Sequence, residues 1–354
     1  MGIRIEIKEM SKKYLLWNNK GGVGKTFLSY MLAVEYAINN PDEDIVVIDA
    51  CPQTNVSEMI LGGNGKGAAI VNEFSEKNRT IAGYIKERFN TKQSSKLGNE
   101  SSYFIQASKH NSKMPENLYI LPGDMDLDIC SKIINHLGIS PIRHAWKISR
   151  TLIDDLITSF ELQQEPTGRE QVFFIDCNPS FSNYTENAII AANRIIVPCT
   201  ADAASIRGIK NLFKLIFNIS IDNQTISDEF EDFYQDTQKS GLELPKIHLF
   251  VQNRSRSNTR DVAQAFQSHA EEINRLVQEE VVQKYKGVLT DKYLDERVIN
   301  IKDGNTLASI INHEGCPLSS LQSKRYSIYG KSTQANQKQI NALQSDINDL
   351  VRLI

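Results

Sequence analysis

Short apolar runs punctuate an otherwise mixed chain: Leu15-Leu16-Trp17, Ile45-Val46-Val47-Ile48, Leu118-Tyr119-Ile120-Leu121, Val172-Phe173-Phe174-Ile175, Ile195-Ile196-Val197 and His248-Leu249-Phe250-Val251. Bounded by turn residues, they have the form that a strand takes when both faces are buried. Between most of them apolar positions recur at helical spacing, the first such stretch running from Phe27 to about Asn39. Strands alternating with helices predict an α/β fold with a doubly wound, mostly parallel sheet. From Ser332 onward Ile340, Leu343, Ile347, Leu350 and Ile354 fall at spacings of three and four. That stripe predicts a C-terminal amphipathic helix over 332–354, following one domain over 1–331. The helix packs on its own domain or zips to a partner. Lys338 and Arg352 are balanced by Asp346 and Asp349, which argues against a membrane-surface helix.

Composition narrows the class. The chain of 354 residues is 40% hydrophobic and 23% charged, ordinary globular values, and its net charge of -3 gives no general pull toward nucleic acid. The five cysteines, Cys51, Cys130, Cys177, Cys199 and Cys316, form no C-x-x-C pair, which points to a reducing compartment, the cytosol. Met1 to Lys13 alternates Ile3, Ile5 and Ile7 with charges and reads as a short amphipathic strand rather than a signal sequence. No run approaches the length of about 18 apolar residues that a membrane span needs. The six histidines show no metal-ligand spacing.

The chemistry begins at Lys20-Gly21-Gly22-Val23-Gly24-Lys25-Thr26, between the first apolar run and the helical pattern at Phe27. A strand that passes through a glycine-rich turn into a helix aims backbone N–H groups at the helix entrance, where phosphate oxygens replace their missing partners. Gly21, Gly22 and Gly24 supply backbone freedom. Lys25 can reach the β- and γ-phosphates, and Thr26 can hold magnesium. Asn19 stands where the ordinary P-loop has glycine, and a second lysine, Lys20, precedes the glycines.

Asp49 ends the second apolar run and Asp176 ends another, so both are expected beyond the carboxyl ends of strands, facing that loop. One such carboxylate can hold magnesium and another can orient the attacking water. The polar stretch 62–115, with one helical pattern near Ile81 to Phe89, reads as an insertion with long loops over this end of the sheet. Two further polar excursions, 163–169 and 220–244, read as surface.

Lys20 to Thr26, with Asn18 and Asn19, resembles the N-Q-K-G-G-V-G-K-T signature of the ParA/MinD family of deviant Walker A ATPases. Asp49 to Asn55 is similar to the family's D-x-D-P-Q-x-N segment, and Phe173 to Pro179 to its Walker B segment. Ile196-Val197-Pro198 and Ser205-Ile206-Arg207-Gly208 match a later strand and helix. Weaker similarity lies at 118–122 and 251–254. The resemblance implies an ATP hydrolase, slow and partner-stimulated, that uses ATP and Mg2+ and sandwiches nucleotide in a homodimer. It implies that Lys20 crosses to the partner's phosphates, that Gly21, Gly22, Val23, Gly24, Lys25, Thr26 and Phe27 cradle the nucleotide, and that Asn253 contacts adenine. By the same analogy Lys20, Lys25 and Asp49 act in catalysis, and Thr26, Asp49 and Asp176 serve the metal. Cys51 replaces the second aspartate of the D-x-D pattern and Asn178 the first proline after the Walker B aspartate, both where hydrolysis is sensed.

The expected role is a cytoplasmic partition ATPase that binds DNA nonspecifically in the ATP state. Its DNA contacts are expected at Arg207 and Lys210, at Arg254, Arg256 and Arg260, and at Lys324 and Arg325. No helix-turn-helix is expected ahead of the P-loop, so operator-type recognition is not. Other readings are a ParA-like regulatory or defence switch acting on a protein effector, and a MinD-like membrane-positioning ATPase.

Overall fold

Side-chain alternation along the strands decides which helix covers which face. The computed structural model describes residues 11–90, 96–221, 231–255, 260–291 and 297–354. Eight strands form the main sheet: β1 (Lys12–Leu16), β2 (Asp44–Ala50), β3 (Ile105–Gln106), β4 (Leu118–Leu121), β5 (Gln171–Cys177), β6 (Arg194–Cys199), β7 (Lys246–Ser255) and β8 (Val298–Lys302). Their order is β3-β4-β2-β5-β1-β6-β7-β8, and β3 alone is antiparallel to its neighbour. β1, which feeds the glycine-rich turn, therefore lies between β5 and β6, inside the sheet.

Tyr14 and Leu16 of β1, Ile45 and Val47 of β2, and Val172 and Phe174 of β5 share one face, packed with the helix Lys25–Asn39. Leu15, Val46, Ile48, Phe173 and Ile175 share the other, under the helices Leu127–Gly138, Leu152–Gln164, Asn183–Ala191 and Ala203–Phe217. Both faces are dry, which is why these strands read as continuous apolar runs. In β7 the register slips by one residue opposite Ile195 and Ile196, so Ile247 and Phe250 face one side while Leu249 and Val251 face the other. The extra residue, His248, is fully buried, and its ring nitrogens meet the Leu353 carbonyl at 2.7 Å and Thr290 Oγ1 at 3.1 Å.

The tail helix is Gln337–Val351, not a helix from Ser332. Residues Lys331–Gln334 are instead β10, paired antiparallel with β9 (Arg325–Ile328) across the two-residue turn Tyr329-Gly330, where both residues have positive φ. Ile340, Leu343, Ile347 and Leu350 are buried on the chain's own core, against Lys25–Asn39 and β8. Each side chain contributes about 1.5–3 kcal/mol from removal of apolar surface. Tyr14 donates to the Ile354 carbonyl at 2.5 Å, so the last turn is pinned from inside the sheet. The apolar stripe is thereby occupied within the chain. Among the described residues no helix is long and apolar enough to cross a membrane.

The stretch 62–115 departs from the expected insertion with long loops. Its described part forms two helices, Lys66–Glu76 and Ile81–Asn90, and the edge strand β3, and it buries Val71, Ile81, Tyr84, Tyr103 and Ile105. Lys66–Glu76 escaped the sequence reading although Ile70, Val71 and Phe74 face the core, because the stripe is short and Gly67 interrupts it. Residues 1–10 lie outside the described residues, as does most of the acidic part of 220–244.

Candidate active site

The glycine-rich turn closes between β1 and the helix Lys25–Asn39. Gly22 and Gly24 take φ of 73° and 85°. A Cβ on Gly24 would stand 2.1 Å from Asn253 Nδ2, so glycine is required both for the conformation and for the approach of β7. Asn253 donates to the Val23 carbonyl at 3.2 Å, which ties the turn to the strand beyond β6. Trp17 Nε1 donates to the Asn178 carbonyl at 3.0 Å and Asn19 Nδ2 to the Pro179 carbonyl at 3.2 Å, tying it to the loop after β5.

The two lysines differ in setting. Lys25 is buried, and its ammonium donates to the backbone carbonyls of Lys20 at 2.7 Å and Asn18 at 3.3 Å. Burial lowers its pKa, an effect opposed by Asp176. A cation resting on neutral carbonyls with no paired carboxylate fits a site built to receive an anion. Lys20 instead reaches out of the turn to the start of the helix Ala203–Phe217, where it meets Thr200 Oγ1 at 2.8 Å, Ser205 Oγ at 3.3 Å and the Asp202 carboxylate. Asp202 also caps that helix by accepting from the Ser205 amide. Gly208 lets the helix come this close, because a Cβ there would lie 2.5 Å from Asn18 Oδ1.

Asp176 is fully buried and accepts from Thr26 Oγ1 at 2.9 Å and Ser29 Oγ at 2.8 Å. This pairing of a hydroxyl with a carboxylate at the foot of a phosphate turn fits Mg2+, which takes one or two protein oxygens and completes its shell with water and phosphate. Among the described residues there is no group of three or more His, Cys, Asp or Glu side chains that could hold a metal by themselves. Thr26 and Asp176 are the residues that would hold the ion, and its chemistry there would be neutralisation of phosphate charge.

Asp49 does not join them. It is wholly buried, with Oδ1 accepting from the Cys51 amide at 3.1 Å and Oδ2 from the Ser57 amide at 3.1 Å and the Ser57 hydroxyl at 2.6 Å. A Cβ on Gly123 would be 2.8 Å from its carboxyl carbon, so the chain closes over it. In this arrangement the Asp49 carboxylate braces the turn into the helix Asn55–Ile60. Asp49 pairs in register with Asp176 on the same face of the sheet; what sets it apart is the cover of Gly123 and the donors Cys51 and Ser57.

A cavity of about 570 Å³ opens on the turn, walled by Gly21, Gly22, Gly24, Lys25, Thr26 and Phe27 on one side and by Cys51, Pro52, Gln53, Asp128, Cys177, Asn178, Pro179 and Ser180 on the other. The Cys51 thiol is pushed up to about 12 and that of Cys177 also upward, chiefly by burial, so both are protonated thiols. Beside it a second cavity of about 380 Å³ is lined by Gly24, Thr26, Phe27, Asn253, Asn55 and Met59, and by Asp303, Gly304, Ala308, Ser309 and Asn312 of the β8 end and the following helix. Sequence reading placed Asn253 here and missed the last five, because β8 is a half-buried strand with a weak apolar signal.

The candidate DNA contacts fall on opposite faces of the sheet. Arg207 is exposed and Lys210 partly so on the helix Ala203–Phe217, and Lys210 shares a hollow with Glu272, Arg275, Glu279, Glu280 and Lys284, a mixed-charge surface. Lys324, Arg325 and Lys331 are exposed around the β9–β10 hairpin, where Lys324 lies over the Tyr326 ring at 5.1 Å and Tyr329 is 70% exposed beside His313. Arg254 is the last residue but one of β7 and Arg260 starts the helix Arg260–Arg275, their side chains not described, and Arg256 lies outside the described residues.

Comparison with known proteins agrees with this geometry. The AAA domain family matches residues 11–227, more than half of the chain. An uncharacterised protein of Methanocaldococcus jannaschii is 23% identical over 58% of this chain and 65% of its own length. The ATPase GET3 of Candida tropicalis is 35% identical, over 20% of each protein. The chain thus spans just under two thirds of the first relative and a fifth of the second. Among solved structures, the ATP complex of a McdA variant from Cyanothece superposes with a TM-score of 0.56 at 14% identity, covering 97% of this chain and 96% of that one. A proposed plasmid partition protein from Borrelia burgdorferi B31, bound to AMPPNP, gives a TM-score of 0.53 at 17% identity over 98% and 100%. With its eight-stranded mostly parallel sheet sharing the fold of these solved structures, and with the family model matching residues 11–227, the chain belongs to the AAA domain family.

Proposed function

We propose that this chain is a ParA-like ATP-dependent switch that binds ATP with Mg2+, pairs with a second copy across the nucleotide, and in that state holds DNA nonspecifically, in the service of partition. The observation that carries the reading is the division of labour between the lysines: Lys25 lies buried behind the turn, while Lys20 leaves it for the rim, held there by one exchangeable ion pair. A cation at the rim can stabilise charge developing on a phosphate presented by another molecule. The two adjoining cavities divide as phosphate and nucleoside spaces, with Gly24, Thr26 and Phe27 common to both and Asn253 in the second. Hydrolysis is slow and answers to a partner protein, the cell compartment is the cytoplasm, and residues 332–354 act as part of the ATPase unit.

For DNA, the β9–β10 hairpin supports the reading better than the mixed-charge helix, because Lys324, Arg325 and Lys331 stand with two tyrosines on one ribbon. The test is fluorescence anisotropy of a labelled duplex of arbitrary sequence with Mg2+ and ATPγS, ADP or no nucleotide. Binding is expected with ATPγS only and should fall by more than about tenfold between 50 and 200 mM salt. Equal binding in all three states, or none, contradicts the DNA part of the proposal.

A further inference from the structure

The phosphate cavity needs a carboxylate that faces it, and the two aspartates at the strand ends do not supply one. Asp49 is closed off beneath Gly123 with both oxygens accepting from protein donors. Asp176 commits its oxygens to Thr26 and Ser29, on the metal side. Cys51, at the cavity wall, offers a neutral thiol, a weak acceptor. Among the described residues of that wall the remaining carboxylate is Asp128.

Asp128 is exposed and sits in the first turn of the helix Leu127–Gly138. It is also aimed: Tyr184 Oη donates to Asp128 Oδ1 at 3.3 Å while accepting from Asn178 Nδ2 at 2.6 Å. Asn178 follows the Walker B strand and lines the same cavity, so a chain of hydrogen bonds joins that strand end to Asp128.

We propose that Asp128 is a catalytic residue of this chain, the carboxylate that orients the attacking water in ATP hydrolysis, held in place by the Asn178–Tyr184 pair. It accepts a hydrogen bond from the water while the water oxygen bonds to the γ-phosphorus. The bond from that phosphorus to the β–γ bridging oxygen breaks, leaving its electron pair on ADP. Both water protons depart with the phosphate, one of them passing on to solvent. The inference rests on the reading that this cavity receives ATP.

The test compares wild type with Asp128→Asn and with the double variant Asp128→Asn, Cys51→Asp, all with Mg2+. Single-turnover ATP hydrolysis is measured together with dissociation constants for ATPγS and for ADP with aluminium fluoride, which mimics the transferring phosphoryl group. In Asp128→Asn the ATPγS affinity is expected to stay within about twofold, while the rate and the affinity for the fluoride complex each fall by about tenfold or more. Adding Cys51→Asp, which returns a carboxylate to the wall, should recover part of both. An Asp128→Asn chain with wild-type rate and wild-type fluoride affinity overturns the inference and leaves nucleotide binding intact. A wild-type chain that binds no ATPγS brings down the reading beneath it.

Discussion

Two buried carboxylates give the nucleotide-free chain a distinctive pH response. Burial, and then the charge of Asp176, pushes Asp49 up to about 7, and burial pushes Asp176 up to about 6, against an ordinary value of 3.8 for each. Both are protonated more readily in the folded chain than in the unfolded one. Their contribution to stability is therefore complete below about pH 4 and is lost as pH rises through 6 and 7. Between those limits the melting temperature of Asp49→Asn should vary less with pH than that of wild type. Parallel profiles would show that Asp49 is ionised at little cost, its donors Ser57 and Cys51 offsetting burial, and would contradict the raised value. At this scale the sequence brought the glycines, both lysines and Asp176 to one end of the sheet, and the structure has them together there. It gave no sign of the cover over Asp49, since a place at a strand end says nothing of the chain above it. Asp128 gave no signal of its own: only the fold brings the first turn after β4 beside the loop after β5.

Among the elements, the tail helix Gln337–Val351 couples the stability of the chain to its nucleoside cavity. Leu343 is 2% exposed, and its Cδ2 lies 3.0 Å from where a Cβ on Gly304 would stand, in the floor of that cavity. Leu343→Ala is expected to cost about 2–4 kcal/mol, read as a lower urea midpoint at unchanged slope. A loss below about 0.5 kcal/mol would mean that the helix is not docked as described. The interior strands β1, β2, β4, β5, β6 and β7 were legible because strands dry on both faces are apolar runs. β3 has two residues and β8 an alternating pattern at the edge, too little signal against the surrounding polar chain. The hairpin was hidden by its turn, where Tyr329 occupies a left-handed position that glycine or asparagine more often signals.

For the whole molecule, the proposed switch turns on the contact that Lys20 makes. In the single chain it is satisfied by Thr200, Asp202 and Ser205, all at the start of one helix. A half-exposed ion pair of this kind is worth about 0–1 kcal/mol, so a triphosphate offered by a second copy can displace it. The most direct test is the mass in solution, by light scattering after size exclusion, of wild type and Lys20→Ala with Mg2+ and either ATPγS or no nucleotide. The account predicts one chain without nucleotide and two with ATPγS for wild type, and one chain in both conditions for Lys20→Ala although it still binds ATPγS. A wild-type mass indifferent to ATPγS, or a Lys20→Ala chain that pairs as wild type does, would contradict it.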